Sequence, residues 1–414
     1  MSSVLVLGAG MVGTCTALHL QQRGHQVLLV DKKGPGQETS FGNAGLIQRE
    51  AVEPYAFPRQ WSKLLQVALG RTVDVHYHGS ALPGLARALF TYWRESAPER
   101  HAVASQHHAR LIAHCLDEHQ PLIEEAGAQD LVRCEGFRKV YRSPTVFAQA
   151  VKDAGRLERQ WGVRFAALDA AALAQAEPAL RCDLAGAVHW LDTWSVSDPG
   201  ELVARYARLF EQRGGRLVHA NAHTLQTHGS GWRVRADDLD GGSWLEAAQA
   251  VIALGPWSDA LVRPMGYRLP LFVKRGYHQH FTGASLNLPM LDAEKGFLLL
   301  PTAQGTRLTT GAEFARMDVP ATPVQLGRAE QAARQLVDLG PALATPPWLG
   351  SRPCTPDMLP VMGPAPRHRG LWFNFGHAHQ GFTLGPVAGR LLAELISGQT
   401  PGLDPGPYRA ERFL

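Results

Sequence analysis

Apolar residues near the start of the chain form an unbroken run, Val4–Leu7, as a strand buried on both faces of a parallel sheet requires. From Val12 to Gln22 they recur at helical spacing, Gly24 follows as a stop, and "QVLLV" makes a second buried run ending in Asp31. The stretches "YRLPLFVKRGYHQHFTG" and "GFLLLPTAQGTRLTTGAEF" instead alternate apolar and polar residues between turn signals, which predicts antiparallel strands. On the first of these, alternation puts Arg275, Tyr277 and Gln279 on one face and His278 and His280 on the other. Residues 58–194 read as mostly helical, and "VAGRLLAELISG" near the end predicts an amphipathic core helix. Between these lies "GSRPCTPDMLPVMGP", whose prolines 353, 356, 360 and 364 exclude both a helix and a central strand.

The first strand runs into "GAGMVG", which sets Gly8, Gly10 and Gly13 at GxGxxG spacing ahead of the helix, with Asp31 eighteen residues after the third glycine. Gly8 permits the tight turn, Gly10 lets a pyrophosphate approach the backbone, and Gly13 brings helix and strand together. Val12 opens the helix, whose N-terminal N–H groups and positive dipole end suit phosphates. Asp31 suits the ribose hydroxyls of an adenosine and would repel a 2′-phosphate. Strand, glycines, helix, strand and acid in this order define a dinucleotide site for FAD or NAD.

After Asp31 the chain does not continue into another βαβ unit; it becomes small, polar and glycine-rich, "KKGPGQETSFGNAGLI". The segment "ETSFGNAG" resembles the flavin-lining segment of the D-amino acid oxidase superfamily, closest to the FAD-dependent D-amino acid dehydrogenase branch of small-subunit type. "GGRLVHANA", "AVIALGPWS", "GSRPCTPDMLPVMGP" and "LWFNFGHAHQGFTLGP" extend the resemblance in order over residues 3–395. It implies a Rossmann-like FAD-binding domain with an interleaved α+β substrate domain built on an antiparallel sheet. The FAD domain is expected at 1–57, 195–265 and 346–414, and the substrate domain at 58–194 and 266–345. Cofactor contacts are implied at Lys32, Ser40, Asn43, Ala44, Gly45, Leu46, Ala222 and Gly255, besides the fingerprint residues. Gly381, Phe382 and Thr383, at a helix N-terminus, are implied to stabilise charge on the flavin. Cys354 departs from the attachment motif of sarcosine oxidases, so noncovalent FAD is expected.

The reaction implied is oxidative deamination of D-amino acids to 2-oxo acids and ammonia, by hydride transfer from Cα to flavin N5. Such chemistry asks mainly for aim, and an arginine fork on a stiff mount holds a carboxylate at two points. Arg352, in its "RPxTPD"-like context, resembles the family's carboxylate anchor; a salt bridge to Asp357 is the structural alternative. Arg275 and Tyr277 are second candidates, and Tyr55 is expected to close the pocket. His377 and His379 are read either as tuning amine protonation or as structural. Alternative substrates implied are D-proline or D-hydroxyproline, or those of a sarcosine/glycine oxidase. An FAD-holding subunit of a hetero-oligomeric dehydrogenase is a reading of another class.

The 414 residues suffice for two domains, and a net charge of +4 without a basic block excludes nucleic acid as an expected partner. Five scattered cysteines without CxxC spacing predict reduced thiols, a cytoplasmic protein and no zinc site. The run His101, His107, His108, His114 and His119 is read as a solvated helix face, so no metal is expected. The motif begins too early for a secretory signal, and no run is long enough to span a membrane. Leu82, Leu85, Leu89, Phe90 and Trp93 line one helix face, suited to packing or to peripheral contact with the inner face of the cell membrane. A quinone or other carrier is the expected electron acceptor.

Overall fold

The computed structural model describes residues 2–70, 72–236, 243–283 and 285–414. The predicted opening holds: strand Ser3–Leu7, helix Met11–Gln22 and strand Gln26–Asp31 are consecutive, and the two strands pair in parallel. They form the centre of a six-stranded sheet, ordered Arg216–His219, Gln26–Asp31, Ser3–Leu7, Gln249–Ile252, Leu371–Phe375 and Val361–Pro364. The first five are parallel and the last is antiparallel. Central strands of such a sheet are covered on both faces, and Val4, Leu5, Val6 and Leu7 are all fully buried.

One face of this sheet carries helices Met11–Gln22 and Gly381–Ile396, which share a core with Cys115, Leu122 and Ile123 of the helix Cys115–Glu125. That last helix belongs to the stretch expected to serve the substrate domain. The boundary at residue 58 is therefore not a boundary of packing.

A second sheet of ten strands carries the other half of the molecule. The expected strands of the later insertion are there: Phe272–Phe281, Met290–Asp292, Phe297–Thr302, Gly305–Thr309 and Ala312–Phe314. The earlier insertion adds Val75–Tyr77, Phe137–Tyr141, Phe165–Asp169 and Gly186–Trp190, so it is less helical than its pattern suggested. Two parallel pairings make the sheet mixed rather than purely antiparallel. The proline-rich stretch supplies an edge strand to each sheet: Trp348–Cys354 pairs with Phe272–Phe281, and Val361–Pro364 ends the parallel sheet. Edges tolerate residues without an N–H, so prolines and strands coexist here. Because Trp348–Cys354 belongs to the ten-stranded sheet, the expected boundary at 346 also fails to mark a change of packing partner.

Candidate functional site

The helix Met11–Gln22 crosses the strand so closely that a Cβ on Gly13 would lie 1.8 Å from the Gly8 carbonyl oxygen. Gly13 therefore serves contact between elements and does not line the cavity; the same holds for Gly45, whose Cβ position meets Leu300 and Val196. Gly10 is different, since its Cβ position meets only Ser40 Oγ, at 3.4 Å, and otherwise opens onto a cavity. Ser40 accepts a hydrogen bond from the Met11 N–H at 3.0 Å, which fixes the "TSFGN" loop against the helix N-terminus. The Asp31 carboxylate accepts from the Ala9 and Lys33 N–H groups at 2.7 and 2.9 Å. Burial pushes its pKa up, and each oxygen keeps a lone pair for a further donor.

The cavity, of about 610 Å³, is continuous from this fingerprint to the proline-rich strand. Gly8, Gly10, Val12, Asp31 and Lys32 line one end, and Ser40, Asn43, Ala44 and Leu46 continue the wall, with Ala222 and Gly255 beside them. Gly381 and Phe382 line it at the N-terminus of the closing helix. Thr383 does not: its hydroxyl accepts from the Gln48 N–H and reaches the Leu46 carbonyl, tying the flavin-type loop to that helix. Tyr55, although 57% exposed, lines the other end, its ring 4.5 Å from that of His379.

Arg352 lines that end as well and has no carboxylate partner among the described residues. Asp357, its possible structural partner, is instead bound by Arg412 at 2.8 Å. The guanidinium donates to the carbonyls of Gly311 and Thr310 at 2.8 and 3.2 Å, which fixes its plane. It lies flat over Gly276, where a Cβ would come within 2.6 Å of it. Desolvation lowers its pKa from the ordinary arginine value, so a half-buried, oriented cation with no ion pair among the described residues faces the cavity.

Arg275 does not reach the cavity. It is 1% exposed, ion-paired to Glu313 at 2.6 Å, and donates to the carbonyls of Arg316, Val319 and Pro320. Tyr277 touches the cavity wall, but its hydroxyl is spent on Glu313 at 2.9 and 3.1 Å. Alternation had grouped these two correctly on one face, but that face packs on the 313–322 segment. The opposite face presents Lys274 and Gly276 to the cavity, and Lys274 was missed. His76, His78 and Glu313 stand close enough for one metal ion, yet the Glu313 oxygens are already taken by Arg275, Tyr277 and Thr322.

Two further residues escaped the sequence. Arg307, buried and pushed down to about 10, donates to His280 and to the carbonyls of Asn43 and Phe41, anchoring the flavin-type loop to the sheet. His119 is fully buried, contrary to the solvated face expected: its ring nitrogens meet the Tyr206 hydroxyl and the Phe382 carbonyl at 3.1 and 3.0 Å. His108 is buried too. Burial pushes His377 down to about 3 and His379 lower than usual, so both are neutral near pH 7.

A glycine fingerprint at a helix N-terminus, an acid ending the second strand and a cation at the far end share one long cavity, an arrangement in keeping with the flavin dinucleotide class that the family match shows. Residues 3–395 match the model of the FAD dependent oxidoreductase family, and the chain belongs to that family. It is 32% identical to a D-amino-acid oxidase of Bradyrhizobium diazoefficiens, covering 99% of each chain. It is 31% identical to a D-amino acid dehydrogenase of Cereibacter sphaeroides, covering 99% of this chain and 95% of the relative. Glycine oxidase from Geobacillus kaustophilus shares the fold, with a TM-score of 0.74, 23% identity and coverage of 100% and 99%. The residues present fit FAD: the Gly10 position is open, and Thr309 Oγ1 and His377 Nε2, both without a hydrogen-bond partner among the described residues, belong to residues lining the cavity.

Proposed function

We propose that the enzyme oxidises D-amino acids to 2-oxo acids and ammonia, with FAD held noncovalently and electrons passed to a quinone or another carrier. The observation that carries this reading is Arg352, a half-buried guanidinium without a carboxylate partner among the described residues, oriented by two carbonyls at the far end of the cavity. Bound FAD supplies the acceptor for the Cα hydrogen and its two electrons. Arg352 grips the α-carboxylate and thereby fixes which Cα bond faces the flavin. His377, neutral at pH 7, adds no cation beside the substrate amine. Gly381 and Phe382, at a helix N-terminus, favour negative charge on the bound group. Cys354 is buried and its thiol pKa is raised by desolvation, which disfavours the thiolate that covalent attachment needs.

The reading extends to the acceptor. Among the described residues no helix is long and apolar enough to cross a membrane. Helix Trp61–Ala68 nevertheless turns Leu64 and Val67 to the cavity and leaves Trp61, 85% exposed, and Leu65 in solvent. Arg59 ties this region to the end of helix Leu82–Glu95, donating to the Trp93 carbonyl at 2.7 Å, and Phe90 and Trp93 are exposed on that helix. Two helices presenting aromatic residues beside a cavity suit peripheral contact with a bilayer that holds a quinone.

Anaerobic mixing of the purified yellow protein with paired D- and L-amino acids tests the central reading. Bleaching of the flavin by D-isomers alone is expected, with intact FAD released on denaturation. Bleaching by L-isomers, or by amines without a carboxylate, would refute it.

A further inference from the structure

Lys274 and Arg352 are direct partners across two antiparallel strands. Side chains in such a pair leave the same face of the sheet with Cβ atoms about 4.5–5.5 Å apart, and like charges there repel. Both line the cavity, and neither makes an ion pair among the described residues. The neighbouring acids are committed elsewhere: Glu313 to Arg275, Asp357 to Arg412 and Asp292 to Arg142. Asp74 lines the same cavity but forms no ion pair with either cation.

The Lys274 ammonium is also held in place. It donates to the Tyr92 hydroxyl at 3.0 Å and sits 4.3 Å over that ring, while Tyr92 spends its own proton on the Tyr55 carbonyl at 2.7 Å. Apart from the rings of Tyr92, Phe272 and Phe314, that one hydrogen bond leaves two ammonium protons without an acceptor among the described residues. Two half-buried cations with no counter-charge among the described residues are costly to a fold, so the counter-charge is expected from the ligand.

We propose that the preferred substrates are acidic D-amino acids of the glutamate and aspartate type, Arg352 holding the α-carboxylate and Lys274 the side-chain carboxylate. This rests on the amino-acid oxidation reading of the same cavity. The two cations also favour the neutral form of the substrate amine, which oxidation requires. The Cα hydrogen and two electrons pass to FAD, the nitrogen loses a proton, and water hydrolyses the resulting imino acid to a 2-oxo dicarboxylate and ammonia. A neutral side chain leaves Lys274 unsatisfied, and a basic one is repelled.

The test compares anaerobic flavin reduction of the holoenzyme by D-glutamate and D-glutamine, which match in shape and differ in one charge. D-Glutamate is expected to lead by at least about tenfold in kcat/KM, as a hydrogen-bonded charge pair implies. Lys274→Gln should remove that lead, with the larger loss falling on D-glutamate. Lys274→Glu should turn the preference towards D-lysine, an outcome misfolding cannot produce. In a binding readout, glutarate should perturb the flavin spectrum of the wild type more tightly than butyrate, and lose that advantage in Lys274→Gln. If D-glutamine or D-lysine matches D-glutamate in the wild type, or Lys274→Gln weakens all substrates alike, the proposal is overturned while amino-acid oxidation stands. If no D-amino acid bleaches the flavin, both fall.

Discussion

At Arg352 the distinction between anchor and scaffold is measurable, because its two terminal nitrogens already bond the carbonyls of Gly311 and Thr310 and so fix the plane of the fork. Lysine in its place keeps the charge but offers a point rather than a plane. Arg352→Lys should therefore cost about 1.5–3 kcal/mol in transition-state binding of an amino acid, roughly ten- to a hundredfold in kcat/KM. FAD content should not change, since the fingerprint around Gly10 lies at the opposite end of the cavity. Oxidation of a simple amine without a carboxylate should hardly respond. Equal losses for both substrates, or loss of FAD, would make Arg352 a structural residue instead. Its candidacy was legible in the sequence from one arginine among four prolines, whereas the absence of a counter-ion was not, since Asp357 stood only five residues away.

At the scale of elements, the site depends on how Phe272–Phe281 meets Trp348–Cys354, where Gly276 faces Gly350 and Lys274 faces Arg352. Gly276→Ala places a methyl group within 2.6 Å of the Arg352 guanidinium and must push it aside. The expected result is a raised KM for amino acids with FAD content retained, and soaking or titration with a carboxylate inhibitor should show weakened binding. Unchanged inhibitor affinity would show that the guanidinium does not hold the carboxylate. This pairing also marks the limit of the sequence. The unit from Ser3 to Asp31 is read easily because strand, glycines, helix and acid are neighbours in the chain, and each glycine answers a local contact. The ten-residue strand is another matter, because most of both its faces are buried. Periodicity grouped Arg275 with Tyr277 correctly, but which group meets the cavity is decided by Glu313 and by an edge strand some seventy residues later. His119 was misread for a related reason: a histidine-rich stretch looks solvated until it divides into two helices and Gly381–Ile396 is laid over the second of them, Cys115–Glu125.

For the whole molecule, exposed Trp61, Leu65 and Phe90 predict that the protein co-sediments with anionic lipid vesicles, and that Trp61→Ser with Phe90→Ser releases it without loss of dye-linked activity. Equal recovery of wild type and variant in the supernatant would remove the membrane from the account. Acid sensitivity is a second property of the whole fold, carried by neutral imidazoles between its layers. His119 is pushed down to about 4 by burial, with backbone hydrogen bonding at Phe382 and Thr383 acting in the other direction. An unfolded histidine binds its proton near pH 6.5, so below that value the unfolded chain takes up a proton that the native chain refuses. Stability is therefore unaffected by this group above about pH 7, falls as pH drops from about 6.5 to about 4, and is flat again below. At pH 5 the loss from His119 alone amounts to about 2 kcal/mol. His119→Gln removes the titration and keeps a donor for the Phe382 carbonyl, at some cost in packing at all pH values. Melting temperatures of both proteins at pH 7.5 and pH 5 separate the two effects. The wild type should lose more between these values than the variant, even though the variant starts lower. Parallel declines would mean that His119 is not the neutral, buried group that its contacts with Tyr206 and Phe382 describe.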